Sequence, residues 1–105
     1  MGAGGAAVQN LALKAAEHPL AAVRELGFDH WQLMGEEQRR PLLRAGLEDR
    51  SAKVRRSCAL ALAAGCAQAI DRPMLESVLA AETDPATREH LTRAIEGLQP
   101  GDQRL

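Results

Sequence analysis

Aromatic residues are nearly missing from this sequence: of 105 residues one is Trp, one is Phe and none is Tyr. Strands favour β-branched and aromatic side chains, whereas Ala, Leu, Arg, Glu and Gln favour helix. A 46% hydrophobic content rich in Ala and Leu therefore reads as all-α. Cysteine is scarce as well. Cys58 and Cys66 are eight residues apart on one expected helix, so their Cα atoms lie on the order of 12 Å apart, beyond a disulfide's reach of about 7 Å. They read as reduced, buried small hydrophobes of a cytoplasmic protein. No long apolar run exists: Cys58 to Ala67 falls far short of the roughly 20 residues that a spanning helix needs, so no membrane partner is expected. No charged stretch leads into an apolar core as in a secretory signal. The opening MGAGGAA has the Gly2 of a myristoylation signal but Ala6 where Ser or Thr belongs, and residues 1–6 read as a flexible lead-in. A formal net charge of −1 points to neither nucleic acid nor an anionic surface. The length fits one small domain.

What the chain does have is a repeat. Val54-Arg55 has an echo 31 residues earlier, Val23-Arg24, and another 33 residues later, Thr87-Arg88. Twelve positions before the valine stand Leu11, Leu42 and Leu75; seven before, Ala16, Leu47 and Ala80. Four after stand Gly27, Cys58 and Leu91; eight after, Trp31, Leu62 and Ile95. A three-fold period of this length signals a solenoid. Each unit reads as two helices, the first apolar at helical spacing (Leu42, Leu43, Leu47; Leu75, Val78, Leu79). The second opens after a cap or proline: His18-Pro19, Ser51 and Asp84-Pro85. Gly35, Gly65 and Gly97 suit C-terminal caps, and Pro41 and Pro73 suit helix starts. The expected organisation is one domain over residues 7–99, with units at about 7–35, 36–68 and 69–99 and a frayed tail at 100–105. Trp31, in the slot of Leu62 and Ile95, is expected to be buried in the seam between the first two units.

"LLRAGLEDRSAKVRRSCALALAAG" resembles a HEAT repeat, and the short period is similar to the HEAT-like repeats of phycobilisome lyases. The resemblance covers roughly residues 7–99 and is strongest in the middle unit. It implies a right-handed α-solenoid, an α–α superhelix of three helix pairs. It also implies that Arg24, Arg55 and Arg88 join an inter-repeat polar ladder with the turn acids Asp49 and Glu82, with His18 at that place in the first unit. About activity it implies little, because such repeats serve many partners.

Catalysis is the weak reading. His18, His30 and His90 occupy different repeat positions, and no Cys-x-x-Cys, His pair at i and i+4, calcium loop or phosphate cradle occurs. Ser51 and Ser57 have no histidine placed as base within their unit. No catalytic residue, metal ligand or cofactor is assigned. A bilin-lyase-like assembly role rests on the resemblance alone. Nucleic-acid binding has one feature behind it: residues 38–57 carry Arg39, Arg40, Arg44, Arg50, Lys53, Arg55 and Arg56 against two acids, for +5, while residues 1–37 and 71–105 each sum to −3. Helical-repeat DNA glycosylases of the alkylation-repair type are a precedent, but a basic band between acidic units reads as self-neutralising rather than as a phosphate track.

On the second helix of each unit the valine position and those four, eight and eleven later share the buried face. The opposite face carries Glu25, Asp29 and Gln32, then Arg56, Leu60 and Ala63, then Glu89, Arg93 and Glu96. A small apolar spot (Leu60, Ala59, Ala63) rimmed by charge has the layout of a protein interface. The expected function is a non-catalytic interaction scaffold whose concave face binds a protein partner through Glu25, Asp29, Arg56, Leu60, Glu89 and Arg93. So short an array also exposes apolar ends suited to end-to-end self-association.

Overall fold

The computed structural model describes residues 2–98, with side chains from residue 7 onward. The described residues form six α-helices: α1 (Gly2–Ala16), α2 (Ala21–Asp29), α3 (Glu36–Gly46), α4 (Ala52–Ala61), α5 (Arg72–Ala81) and α6 (Pro85–Glu96). No strand occurs among the described residues. Short 3₁₀ turns at Trp31–Leu33 and Ala69–Asp71 and a π-turn at Leu62–Cys66 join them. The second helices, α2, α4 and α6, lie in a row, each packed on the next, with α1, α3 and α5 packed against α2, α4 and α6 in turn. The molecule measures 42 × 33 × 16 Å.

The core follows the repeat register closely in the middle of the chain. Val54, Cys58, Leu75 and Leu91 are fully enclosed, as are Leu43 and Thr87, and Leu47 and Leu62 nearly so. Thr87 holds a valine's place because its methyl can face the core while its hydroxyl donates to Asp84 Oδ2 at 2.7 Å. The same carboxylate accepts from the Thr87 N–H at 2.9 Å and so caps α6, whose first residue is Pro85. Ser51 caps α4 in the same way, its Oγ accepting from the Val54 N–H at 3.4 Å. At α2 the cap differs: the helix starts at Ala21 after Leu20, and His18 Nδ1 accepts from the Leu20 N–H at 3.0 Å.

Several expectations are corrected at the ends of the array. Helical backbone begins at Gly2, where the sequence suggests a flexible lead-in; the tail at 100–105 lies outside the described residues. Leu11 is 69% exposed and Ala80 is exposed, because no further helix among the described residues covers the outer sides of α1 and α5; Ala12 and Ala16 are buried among the described side chains of α1. Trp31 is only half-buried, since α2 stops at Asp29 and the backbone turns at His30 before Trp31 can continue the helical face. Phe28 and Met34, both 2% exposed, fill the seam instead, and Trp31 lies under the Arg39 guanidinium, 5.1 Å from the ring centre. Gly35 is the N-cap of α3 rather than the end of α2, and Pro41 sits inside α3 rather than at its start. Gly97 follows α6 with helical dihedrals, whereas Gly65 has φ of 128° and turns the chain at the end of α4.

Gly27 has a separate reason to be glycine. A Cβ there would stand 2.5 Å from the Ala16 backbone nitrogen and 2.9 Å from the Ala15 carbonyl carbon, so α1 and α2 touch through backbone.

Candidate interaction surface

The arginines of the repeated Val-Arg step form the polar seam. Arg24 Nη1 donates to the carbonyls of His18 (2.9 Å) and Pro19 (2.8 Å) in its own inter-helix turn. Its Nε and Nη2 reach across to the next unit, donating to Asp49 Oδ2 at 2.8 Å and Oδ1 at 2.9 Å. Arg55 repeats the grip: Nη1 on the carbonyls of Asp49 (2.9 Å) and Arg50 (3.2 Å), Nε and Nη2 on Glu82 at 2.9 and 3.1 Å. Arg88 makes the first half alone, with Nη1 on the carbonyls of Leu79 and Glu82, both at 2.8 Å; no carboxylate faces it among the described residues.

These contacts shift the acids. Arg24 holds the Asp49 carboxyl below its ordinary value, and the Ser51 N–H adds to this against the opposing effect of burial. Burial acts to raise Glu82, but Arg55 and the N–H groups of Asp84 and Thr83 outweigh it and the net shift is downward. Asp71 behaves alike: burial is outweighed by the Gln68 N–H and by Arg40. Arg40 donates to both Asp71 oxygens at 2.7 Å, and Arg44 lies 3.9 Å away. This second seam was available in the sequence, since Arg40 and Asp71 are one repeat period apart, but only the turn acids draw attention there.

The basic band is therefore largely engaged within the chain. Arg40 and Arg44 face Asp71, Arg55 grips Glu82, and Arg56 lies 3.7 Å from Asp84. Arg39 covers Trp31 and donates to the Met34 carbonyl at 3.2 Å. Arg50 and Lys53 remain exposed.

Of the face opposite the core, Leu60 stands out at 49% exposure on α4, whose Val54, Ser57, Cys58, Ala59 and Ala61 are all buried. Ala59 therefore leaves the apolar spot expected for it, and Ala63 is half-buried. Asp29 is exposed and accepts from the Ser57 hydroxyl at 2.7 Å, tying α2 to α4. Glu25 is half-buried, and Arg56 is partly turned towards Asp84. Glu89 and Arg93 pair along α6 at 2.9 Å, both well exposed.

His18, His30 and His90 do not converge; no cluster of three His, Cys, Asp or Glu that could hold a metal occurs among the described residues. Cys58 and Cys66 are buried free thiols, and burial raises the pKa of both. No helix among the described residues is long and apolar enough to cross a membrane. Comparison with protein-family models, curated proteins and solved structures returns no match.

Proposed function

We propose that this chain is a non-catalytic protein-interaction scaffold of the cytoplasm, an α-solenoid of three HEAT-like helix pairs that receives an amphipathic helix on its concave face, the side of α4 and α6 turned away from the core. The observation that carries it is Leu60: a large apolar side chain, 49% exposed, on a helix that otherwise buries its apolar residues. By helical spacing Arg56 and Arg93 fall on the same side of α4 and α6 as Leu60, and among the described residues Arg93 is held by an exposed i,i+4 pair alone, which is worth a few tenths of a kcal/mol at most. A partner carboxylate can replace Glu89 at little cost. An apolar anchor at Leu60 with acids towards the arginines is the chemistry of a helix docking in a groove. The nucleic-acid reading is disfavoured because Arg39, Arg40, Arg44, Arg55 and Arg56 are engaged by acids, a carbonyl or the Trp31 ring. A bilin-lyase-like role has no group of residues behind it.

The test places a photo-crosslinking residue at the exposed position 89, which neither variant below alters, and captures the adduct in the native host. Leu60→Asp with Arg93→Glu abolishes capture while circular dichroism stays that of the parent. Arg50→Glu with Lys53→Glu, which touches only exposed charges, leaves it intact. The opposite pattern, with captured material sensitive to nuclease and modest salt, replaces this reading with nucleic-acid binding.

A further inference from the structure

The first helices of the three units are held to the array in different ways. α3 is pinned along its length: Arg40 donates to both Asp71 oxygens at 2.7 Å, and Asp49, just beyond the end of α3, is gripped by Arg24 at 2.8 Å. α5 is pinned at both ends, by Asp71 on Arg40 and by Glu82 on Arg55. α1 has no such tie. Among the described residues, no side chain from Ala7 to Ala16 makes a hydrogen bond or an ion pair. Its packing is thin as well: α3 encloses Leu43 and α5 encloses Leu75, whereas α1 buries Ala12 and Ala16, with Leu13 in part, and leaves Val8 and Leu11 exposed. At Gly27 it meets α2 backbone to backbone, a close fit whose dispersion attraction is lost on slight separation. Gly2, Gly4 and Gly5 lower the helix propensity of its first turns.

We infer that α1 is a hinged cover, which opens from the array and closes on it as a separate unit while α2 to α6 stay folded. The hinge is Glu17, the residue between the end of α1 and a turn that is itself fixed. Arg24 Nη1 holds the His18 and Pro19 carbonyls of that turn at 2.9 and 2.8 Å, and His18 Nδ1 accepts from the Leu20 N–H at 3.0 Å. The Pro19 ring restricts its own φ and the backbone of His18. Arg24 also holds Asp49, so the turn belongs to the seam and stays in place when α1 leaves. Opening therefore breaks no ion pair; it uncovers two alanines, part of Leu13 and the strip of α2 at Gly27. Lifting α3 or α5 would instead strip Asp71, 1% exposed, of Arg40, which is far more costly. Off α2, a helix of 15 residues is marginal in water, so α1 also loses its helix and its amides exchange together. The apolar groove that Val8 and Leu11 form with Leu26 and Leu33 exists only while the cover is closed.

Native-state hydrogen exchange of the full chain reads the opening directly. Amides from Val8 to Lys14 are expected to share one level of protection, on the order of a hundredfold below that of Cys58 and Ala59 in α4. Glu82→Gln, which loosens the seam between the second and third units, lowers the protection of α4 and leaves that of α1 unchanged. Lysine-specific proteolysis gives an independent reading, because the chain has two lysines, both exposed and helical: Lys14 on α1 and Lys53 on α4. Cleavage after Lys14 is expected to be faster on the order of a hundredfold, and the product keeps the exchange pattern of α4. Equal protection of α1 and α4, falling together in Glu82→Gln, overturns the inference, since the chain then opens only as a whole. Protection that climbs steadily from Val8 to Lys14 overturns it as well, because that is fraying from the end. So do α1 amides with no protection, a cover that never closes, and a cleavage product that has lost the protection of α4.

Discussion

Arg55 and Arg56 are neighbours in sequence with different tasks. The Arg55 side chain is 19% exposed and closes on Glu82, which is 7% exposed as a residue, while also holding two carbonyls of its own turn. Arg55→Ala leaves the buried Glu82 carboxylate with only the Thr83 and Asp84 N–H groups and no charge partner, takes the donor from two carbonyls, and is expected to destabilise by about 2 kcal/mol. Arg56, with a side chain 43% exposed and 3.7 Å from its acid, is expected to cost less than about 1 kcal/mol on truncation. Urea midpoints of the two variants check this; equal losses would refute the seam. The resemblance to HEAT repeats implied that Arg55 joins the turn acids, and the helical wheel set Arg56 away from the core, both counted on the repeat register. It misplaced Trp31, since counting eight positions assumes an unbroken helix and α2 ends at Asp29. Trp31→Ala is accordingly expected to cost about 1–2 kcal/mol rather than the 3–5 of a fully buried aromatic. The native emission should lie between those of buried and solvated indole, and a fully blue-shifted spectrum would contradict the half-buried placement.

Between helices, two glycines carry distinct constraints. At Gly27 a methyl group meets the backbone of α1, which cannot step aside as a flexible side chain would, so Gly27→Ala should cost about 2 kcal/mol or more by forcing α1 off α2. At Gly65 a methyl group meets nothing within 4 Å, and the penalty comes only from holding φ at 128°. Gly65→Ala should cost about 1–2 kcal/mol. Chemical denaturation gives the two losses and hydrogen exchange separates them further: Gly27→Ala, by loosening α1, is also expected to lower the protection of α1 amides, which Gly65→Ala leaves unchanged. Helix content, the starts of α4 and α6 and the turn at Gly65 were readable because caps and breakers act locally. The interior place of Pro41 and the role of Gly35 were not, because both depend on where α3 begins, and that follows from the 3₁₀ turn at Trp31–Leu33. The exposed Leu60 was readable from the helical wheel; the burial of Ala59 beside it was not, because which small residues α6 covers is a tertiary fact.

Across the whole molecule, α2, α4 and α6 are joined by packing and by ion pairs that run from unit to unit, so acid should act on the array as one body. Asp49, Asp71, Glu82 and Asp84 all have carboxyls held below their ordinary values, by Arg24, by the Gln68 N–H and Arg40 against burial, by Arg55 against burial, and by Thr87 respectively. A carboxyl depressed in the folded state takes up its proton at higher pH when unfolded, so the unfolded chain binds more protons as the pH falls. The stabilisation is complete above the ordinary carboxylate range of about 3.9–4.3 and is lost as pH drops through that range towards the folded values. The melting temperature is therefore expected to be level from pH 7 to about 5 and to fall steeply below it, in a single transition because the seams link neighbouring units. Glu82→Gln sharpens the test. It lowers the melting temperature at pH 7, since Arg55 loses its charge partner, and it also flattens the decline between pH 5 and 3, since one depressed carboxyl is gone. A variant curve running parallel to the wild type through the acid range would show that Glu82 titrates no differently folded than unfolded, and the Arg55–Glu82 seam would then contribute geometry without charge.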